Sequence, residues 1–422
     1  MIDRHGLLRV LGERPLADWV LIEHDEQLAV VAEAAPGSER AEQRQRWELT
    51  VHVDAARGRG SARLDLQTGS GLADNIVDQA IALANASVGP AWSTSPPAAP
   101  AKVALLDPAL ARAELGEVAR VMLHDLKRPA GAMVVATAAV SREHVVVITK
   151  QGARAQWVAS LAHADATIAV GDRSVEVSRD ARRIADLGFG PALAAAATDL
   201  ALYPSAGAVT PGSCTIVLTA EAMLHGGLGV WQVFANQADA IVARQGLTRY
   251  RLGTPIAEGA GTAADPLTIA SDGALDYAVG SSPIGDDGDA VRRFTLIDRG
   301  IAVGLGLSPR EAALRGEDPN GGVRNLVVSA GTWQDAPATL PGRVVEVRRL
   351  RSLAIDPYTG DATLEIALWI DLTAGGKAFT GGSIRLDLVA SLARARRSGQ
   401  VIRRGSYQGP TAVLIDGATL LP

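Results

Sequence analysis

Apolar and polar residues alternate over 16–35 (LADWVLIEHDEQLAVVAEAA), and the alternation predicts a β-hairpin with its turn near 25–27. A charged patch at 39–48 leads into a second pair of strands within 47–69. There Leu49, Val51 and Val53 point one way and Thr50, His52 and Asp54 the other, which places His52 on a water-facing side; Gly58 and Gly60 supply the turn. Apolar residues at 72, 76, 80 and 83 lie on one face of a helix over 72–86. The next stretch, 89–104, is rich in proline and alanine and reads as a linker. A helix over 109–126 follows, with Leu115, Val118, Ala119, Met122 and Leu126 in its stripe. Strand candidates at 132–141, 144–152, 154–172 and 173–183 are separated by turn signals at 141–143, 151–152 and 171–172, which predicts a meander.

A helix fits 191–202, where proline follows Gly190 in the first turn. From Pro211 onward the pattern turns to strands, long loops and many glycines. Its clearest hairpin, 348–372, reverses at Asp356-Pro-Tyr-Thr-Gly-Asp361. A helix at 388–397 and a strand at 411–417 close the chain. No period of 20–50 residues recurs, which excludes a solenoid. The expected fold class is α+β, mostly antiparallel sheets with flanking helices, in two domains. The N-terminal α+β domain takes 1–88 and 105–205 on either side of the 89–104 linker, and 206–422 forms a β-rich C-terminal domain.

Chemistry concentrates on 212–231, GSCTIVLTAEAMLHGGLGVW. An apolar strand at 214–218 feeds a helix start at 219–224, and His225 then meets Gly226, Gly227 and Gly229. A strand feeding a histidine-bearing helix is a common setting for hydrolytic zinc. Such a zinc takes about three protein ligands and keeps one open position. No two of the seven histidines lie within five residues of one another, so no helix face carries a paired ligand motif. Cys214 is the sole cysteine, which excludes an internal disulfide and a thiolate cluster, and its apolar surroundings read as a small buried hydrophobe. Neither a G-x-S-x-G elbow nor a phosphate-binding G-x-x-x-x-G-K-[ST] loop is present.

Asp286, Asp287 and Asp289 offer oxygens suited to calcium or magnesium but lack EF-hand spacing; a solvated inter-strand loop is the plainer expectation. Arg394, Arg396, Arg397, Arg403 and Arg404 read as a charged helix face. At 422 residues, 47 % hydrophobic and 21 % charged, the chain has the make-up of a soluble globular protein. Its net charge of −5 argues against nucleic-acid binding. With no secretory leader pattern and no long apolar run, a cytoplasmic location without membrane contact is expected.

Several stretches in the same order resemble the TldD/TldE (PmbA) family, long labelled modulators of DNA gyrase and regarded as peptidases. They are WELTVHVDAARGRGSARLDL, PSAGAVTPGSCTIVLTAEAMLHGGLG, SSPIGDDGDAVRRFTLIDRGIAVGLGLS, and DPYTGDATLEIALWIDLTAGGKAFTGGSIRLDL. Catalytic TldD-type members carry HExxxH on the helix and a later zinc-binding cysteine. Laid on that motif, His225 is the first histidine, Gly226 replaces the glutamate, Val230 replaces the second histidine, and no cysteine follows Cys214. The resemblance thus implies a TldE-like, non-catalytic subunit with no catalytic and no metal-binding residues of its own. Zinc would belong to a TldD-type partner, in a heterodimer or higher oligomer acting on unfolded or modified peptides, natural-product precursors among them. Gly227, Gly229 and Trp231 would neighbour a peptide groove. The alternative is a stand-alone peptide-binding or maturation factor. A third option is other chemistry, built on His225 with a remote acid or on Cys214.

Overall fold

The computed structural model describes residues 3–33, 39–67, 71–93, 98–124, 131–152, 154–171, 173–262, 265–334 and 340–422. Among them the chain is α+β, with strands in three largely antiparallel sheets and short helices against them. The first sheet is assembled from β1 (Asp18–Ala32), β2 (Glu39–Ala55), β3 (Gly58–Gln67), β4 (Met133–Thr149), β5 (Arg154–Val170) and β6 (Arg173–Ala181). Its order is β3-β2-β1-β4-β5-β6, which makes β6 an edge strand. One face is covered at one end by α1 (Arg4–Glu13) and α2 (Ala73–Ala86), which pack on Leu21, Trp47, Leu49, Val51 and Val53. At the other end α3 (Leu115–His124) and α4 (Phe189–Leu200) pack on the alanine-rich stretches of β4 and β5. Small side chains suit that site because they let helix and sheet approach closely.

The hairpin expected over 16–35 does not form. β1 runs straight through 25–27, with Asp25 opposite Gln45 on one side and His144 on the other. Its charges are matched across the sheet instead of being turned to water: His24 Nδ1 lies 2.9 Å from Glu143 and Nε2 lies 3.3 Å from Glu48. The His24 ring and the flanking arginines hold the Glu48 carboxyl down at about 2. For the same reason β4 crosses the turn expected at 141–143, and the patch at 39–46 belongs to β2. The helix expected over 109–126 is a short turn at Pro108–Leu110 followed by α3, with Leu126 outside the described residues. α4 begins two residues earlier than expected, after the left-handed Gly188. The helix at 388–397 stops at Arg394, and Arg396–Arg397 pairs as a strand with Ala412–Leu421.

The C-terminal half stacks two sheets around a core that includes Trp231, Phe234, Trp369 and Tyr407. One sheet includes β7 (Gly207–Ala208) and β8 (Gly212–Thr219), and β8 lies between strands Val344–Ile355 and Ala412–Leu421. The 348–372 hairpin forms as expected, from Val344–Ile355 and Asp361–Asp371. The other sheet is built on Ile269–Asp272 and Asn325–Val328. Among the described residues no helix is long and apolar enough to cross a membrane.

The second face of the first sheet is covered by the C-terminal half. Ile284 inserts among Val20, Ile22, Val145 and Val147. Arg182 donates to the carbonyls of Ala278, Val279 and Ser281 at 2.9–3.1 Å. His52 shares this face and is buried, not solvated, with the Trp92 ring edge-on to it at 5.0 Å between ring centres; burial lowers its pKa to about 4. The same packing corrects the reading of 286–289 as a solvated loop. Asp289 is 4 % exposed, and its Oδ2 has no hydrogen-bond partner among the described residues. Burial, reinforced by Asp287, pushes the Asp289 carboxyl up to about 7.

A carboxyl that binds its proton more tightly folded than unfolded stabilises the fold at low pH and loses that contribution as pH rises, here between about 4 and 7. Asp289→Asn is expected to stabilise the chain at pH 8 by on the order of 2 kcal/mol and to change it little at pH 4. Urea titrations of both chains across this pH range check the prediction.

Candidate functional site

The strand–helix passage at 212–231 forms as expected only as far as residue 224. β8 delivers the chain to Thr219, whose hydroxyl is held by the carbonyl of Val347 at 3.1 Å. A single helical turn, α5 (Ala220–Met223), follows, with Ala222 and Met223 fully buried. The chain then leaves helical geometry. Gly226 and Gly227 have φ of 71° and 105°, and Gly229 has φ of 54°. A β-carbon on Gly229 would fall 1.9 Å from the carbonyl oxygen of Met223, so nothing larger fits at this turn. The short helical turn Gly229–Trp231 next carries Val230 and Trp231 into the core, where Trp231 stacks on Tyr407 with ring centres 6.0 Å apart.

This geometry does not fit a zinc site. The helix has ended before His225, which borders a cavity, while Val230 is 0 % exposed among apolar neighbours, so the side chains at 225 and 230 do not face a common site. Among the described residues no group of three histidine, cysteine, aspartate or glutamate side chains is arranged to hold a metal. Cys214 is buried and its thiol is pushed up by burial. It does not line the cavity that His225 borders. His225 is half-buried; burial lowers its pKa, and the charge of Glu176 opposes this only in part. No hydrogen bond joins its ring to an acid among the described residues, so the pairing needed for general base catalysis is not in place.

What the passage does border is a cavity of about 1120 Å³ between the first sheet and the C-terminal half. His225, Gly226 and Gly227 lie on its wall. Gly229 and Trp231, expected beside a groove, are instead in the core beneath it. Every residue from Arg173 to Asp180 contributes to the opposite wall, as happens when a strand presents its edge and not one face. That strand is β6, and its outer edge has no partner strand among the described residues. An open edge of this kind is a template for one more strand.

The cavity is lined by a charge network centred on Glu221 of α5. Its Oε1 accepts from Arg179 of β6 at 2.5 Å and from Arg404 at 2.6 Å, and Arg349 lies 3.5 Å from Oε2. Burial opposes ionisation of Glu221, but Arg404, Arg179 and Arg349 outweigh it and hold the carboxyl below its ordinary value. Asp199 of α4 joins the same network, accepting from Arg348 at 3.0 Å and Arg349 at 2.7 Å. Successive strand residues normally point to opposite faces. Register shifts around 347–352 free Arg348 and Arg349 to reach the same carboxylate.

The arginines expected to form a helix face are dispersed. Arg397 is buried against Asp265, Arg396 meets Asp416, Arg404 joins Glu221, and only Arg394 stays on the helix. Glu221, Arg179, Arg349 and β6 were not among the candidates read from the sequence. The one local signal was the adjacent pair Arg348-Arg349 inside a strand-like run.

The family model of the PmbA/TldA metallopeptidase C-terminal domain matches residues 211–420. Among curated proteins, none matches the chain in sequence. Solved structures align along nearly its whole length. One, described as a modulator of DNA gyrase from Bacteroides thetaiotaomicron, is 15 % identical with a TM-score of 0.75, covering 100 % of both chains. TldE from Thermococcus kodakarensis is 14 % identical with a TM-score of 0.73, covering 99 % of each. A protein described as a modulator of a DNA gyrase from Thermotoga maritima is 14 % identical with a TM-score of 0.75, covering 96 % of this chain and 95 % of its own. At these identities the likeness speaks for the fold alone. Residues 211–420 therefore form a PmbA/TldD family domain, of the kind described as a metallopeptidase C-terminal domain, within a chain whose fold is that of TldE and the gyrase-modulator structures.

Proposed function

We propose that this chain is a catalytically silent, TldE-like subunit that pairs with a TldD-type zinc subunit and helps admit extended peptides to it. The observation that carries the reading is the exit from helix at His225, with Val230 sealed in the core where a second zinc-binding imidazole would stand. One imidazole cannot hold a hydrolytic zinc, and glycine, not glutamate, follows His225 at 226. The open edge of β6 gives an unfolded peptide main-chain partners without regard to its sequence, which suits a broad range of unfolded or modified peptides, natural-product precursors included. Zinc and water activation belong to the partner, and the working compartment is the cytoplasm.

A second reading, a stand-alone peptide-binding or maturation factor, draws on the cavity itself and on the open edge of β6 beside it. It requires peptide binding by the isolated chain and no gain in affinity on adding a zinc subunit.

Co-expression with a TldD-type chain bearing an intact HExxxH is expected to yield a co-purifying complex whose zinc content, measured by mass spectrometry, follows the partner alone. Stoichiometric zinc in this chain purified by itself overturns the proposal. Within the complex, His225→Ala is expected to leave kcat/KM for an unfolded peptide within about twofold, because an imidazole that holds neither metal nor proton contributes nothing specific to the transition state.

A further inference from the structure

The arginines of the cavity outnumber the acids that face them. Arg173, Arg179, Arg324, Arg349, Arg351 and Arg404 line it, against Glu176, Asp180 and Glu221. Several of these cations are accounted for. Arg179 and Arg404 share one oxygen of Glu221, and Arg324 is held by Asp286 at 3.0 Å. Arg349 is different. It is 8 % exposed, its Nε is taken by Asp199 and its Nη1 faces Glu221 at 3.5 Å, yet its buried Nη2 has no hydrogen-bond partner among the described residues. A buried guanidinium N–H left without an acceptor is costly. In the deeper network Arg179, Arg348, Arg349 and Arg404 have the carboxylates of Asp199, Glu221 and Glu346 to share, so the site is short of one negative charge. Arg351, two residues along the same strand, is exposed at the cavity wall.

Resting on the peptide-binding part of the reading above, we infer that this arginine cluster is an anchor for a carboxylate of the bound peptide, with Arg349 and Arg351 as the residues that receive it. The planar guanidinium fork matches a carboxylate in two parallel hydrogen bonds. The carboxylate completes the deficit left by Glu221 and Asp199. Because β6 forms the wall facing this cluster, a strand added along β6 brings its end or a side chain to the arginines. The anchor then fixes the register that main-chain pairing alone leaves free. The carboxylate comes either from the peptide's C-terminus or from an Asp or Glu side chain.

The test is fluorescence anisotropy on the full chain, alone and in complex with the zinc-site-inactivated TldD-type partner. Three versions of one labelled extended peptide are compared: free C-terminal acid, C-terminal amide, and C-terminal amide with one internal glutamate. One of the two carboxylate peptides is expected to bind about tenfold more tightly than the neutral amide, and which one does so identifies the source. Arg351→Gln, exposed and outside the buried pairs, is expected to narrow that gap to about threefold without changing the affinity for the amide or the melting temperature. Arg349→Lys keeps the charge but loses the fork and is expected to narrow it in the same way. Equal binding of all three peptides overturns the anchor and leaves peptide binding standing. Binding of none, to the chain or to the complex, overturns the peptide reading and the anchor with it. Inorganic phosphate displacing the acid peptide no better than chloride supports the anchor; displacement at matched low concentration overturns its assignment to carboxylate.

Discussion

Glu221 stands where three parts of the chain converge. It is carried by the single helical turn after β8, and its arginine partners come from the edge strand of the first sheet, from strand Val344–Ile355 and from the segment ending at Arg404. Arg179 and Arg349 are largely buried and Arg404 is half-buried, so these charges have little water to fall back on when the carboxylate is removed. Breaking a buried ion pair on one side typically costs about 3–5 kcal/mol, mostly through the charge left behind. One acid, with the bulged strand that brings Arg348 and Arg349 to the neighbouring Asp199, thus ties β6 to the C-terminal half at the cavity.

The same helical turn also sets the path of the chain past His225. The helix ends at Met223 and does not continue through residue 230. Instead three left-handed glycines redirect the chain, and Gly229 sits so close to the carbonyl of Met223 that the redirection is built into the packing. Restoring a histidine at 230 alone would bury an imidazole among Trp231, Phe234 and Tyr407 without bringing it to His225. Backbone path as well as side-chain identity thus keeps residue 230 apart from His225.

Local patterning disclosed much of the architecture. The meander from β4 to β6, the hairpin around Asp356–Asp361, β8 and the helical turn after it all follow from alternation, glycine placement and apolar run length. Errors fell where charge was taken for a turn. Residues 25–27 and 141–143 are polar because they face one another across β1 and β4, not because the chain reverses there. A strand's own residues carry no mark of whether its polar side meets water or matching charges on neighbouring strands.

From its residues alone the chain determined the α+β class, the alternating faces, and the absence of an HExxxH pair and of any cysteine after Cys214. Those are properties of spacing and identity, and no folding alters them. Tertiary structure decided what covers each face. His52 and Asp289 look solvent-facing in the pattern and are buried: the loop around Ile284 closes over the first sheet, and the Trp92 ring packs edge-on against His52. The cavity likewise had no local signature. Its walls come from residues 173–180, 203, 221, 224–228, 232, 324, 349–351, 367, 380 and 404–406, which only long-range packing brings together. Its charge is set by which arginines are left short of a carboxylate once that pairing is complete.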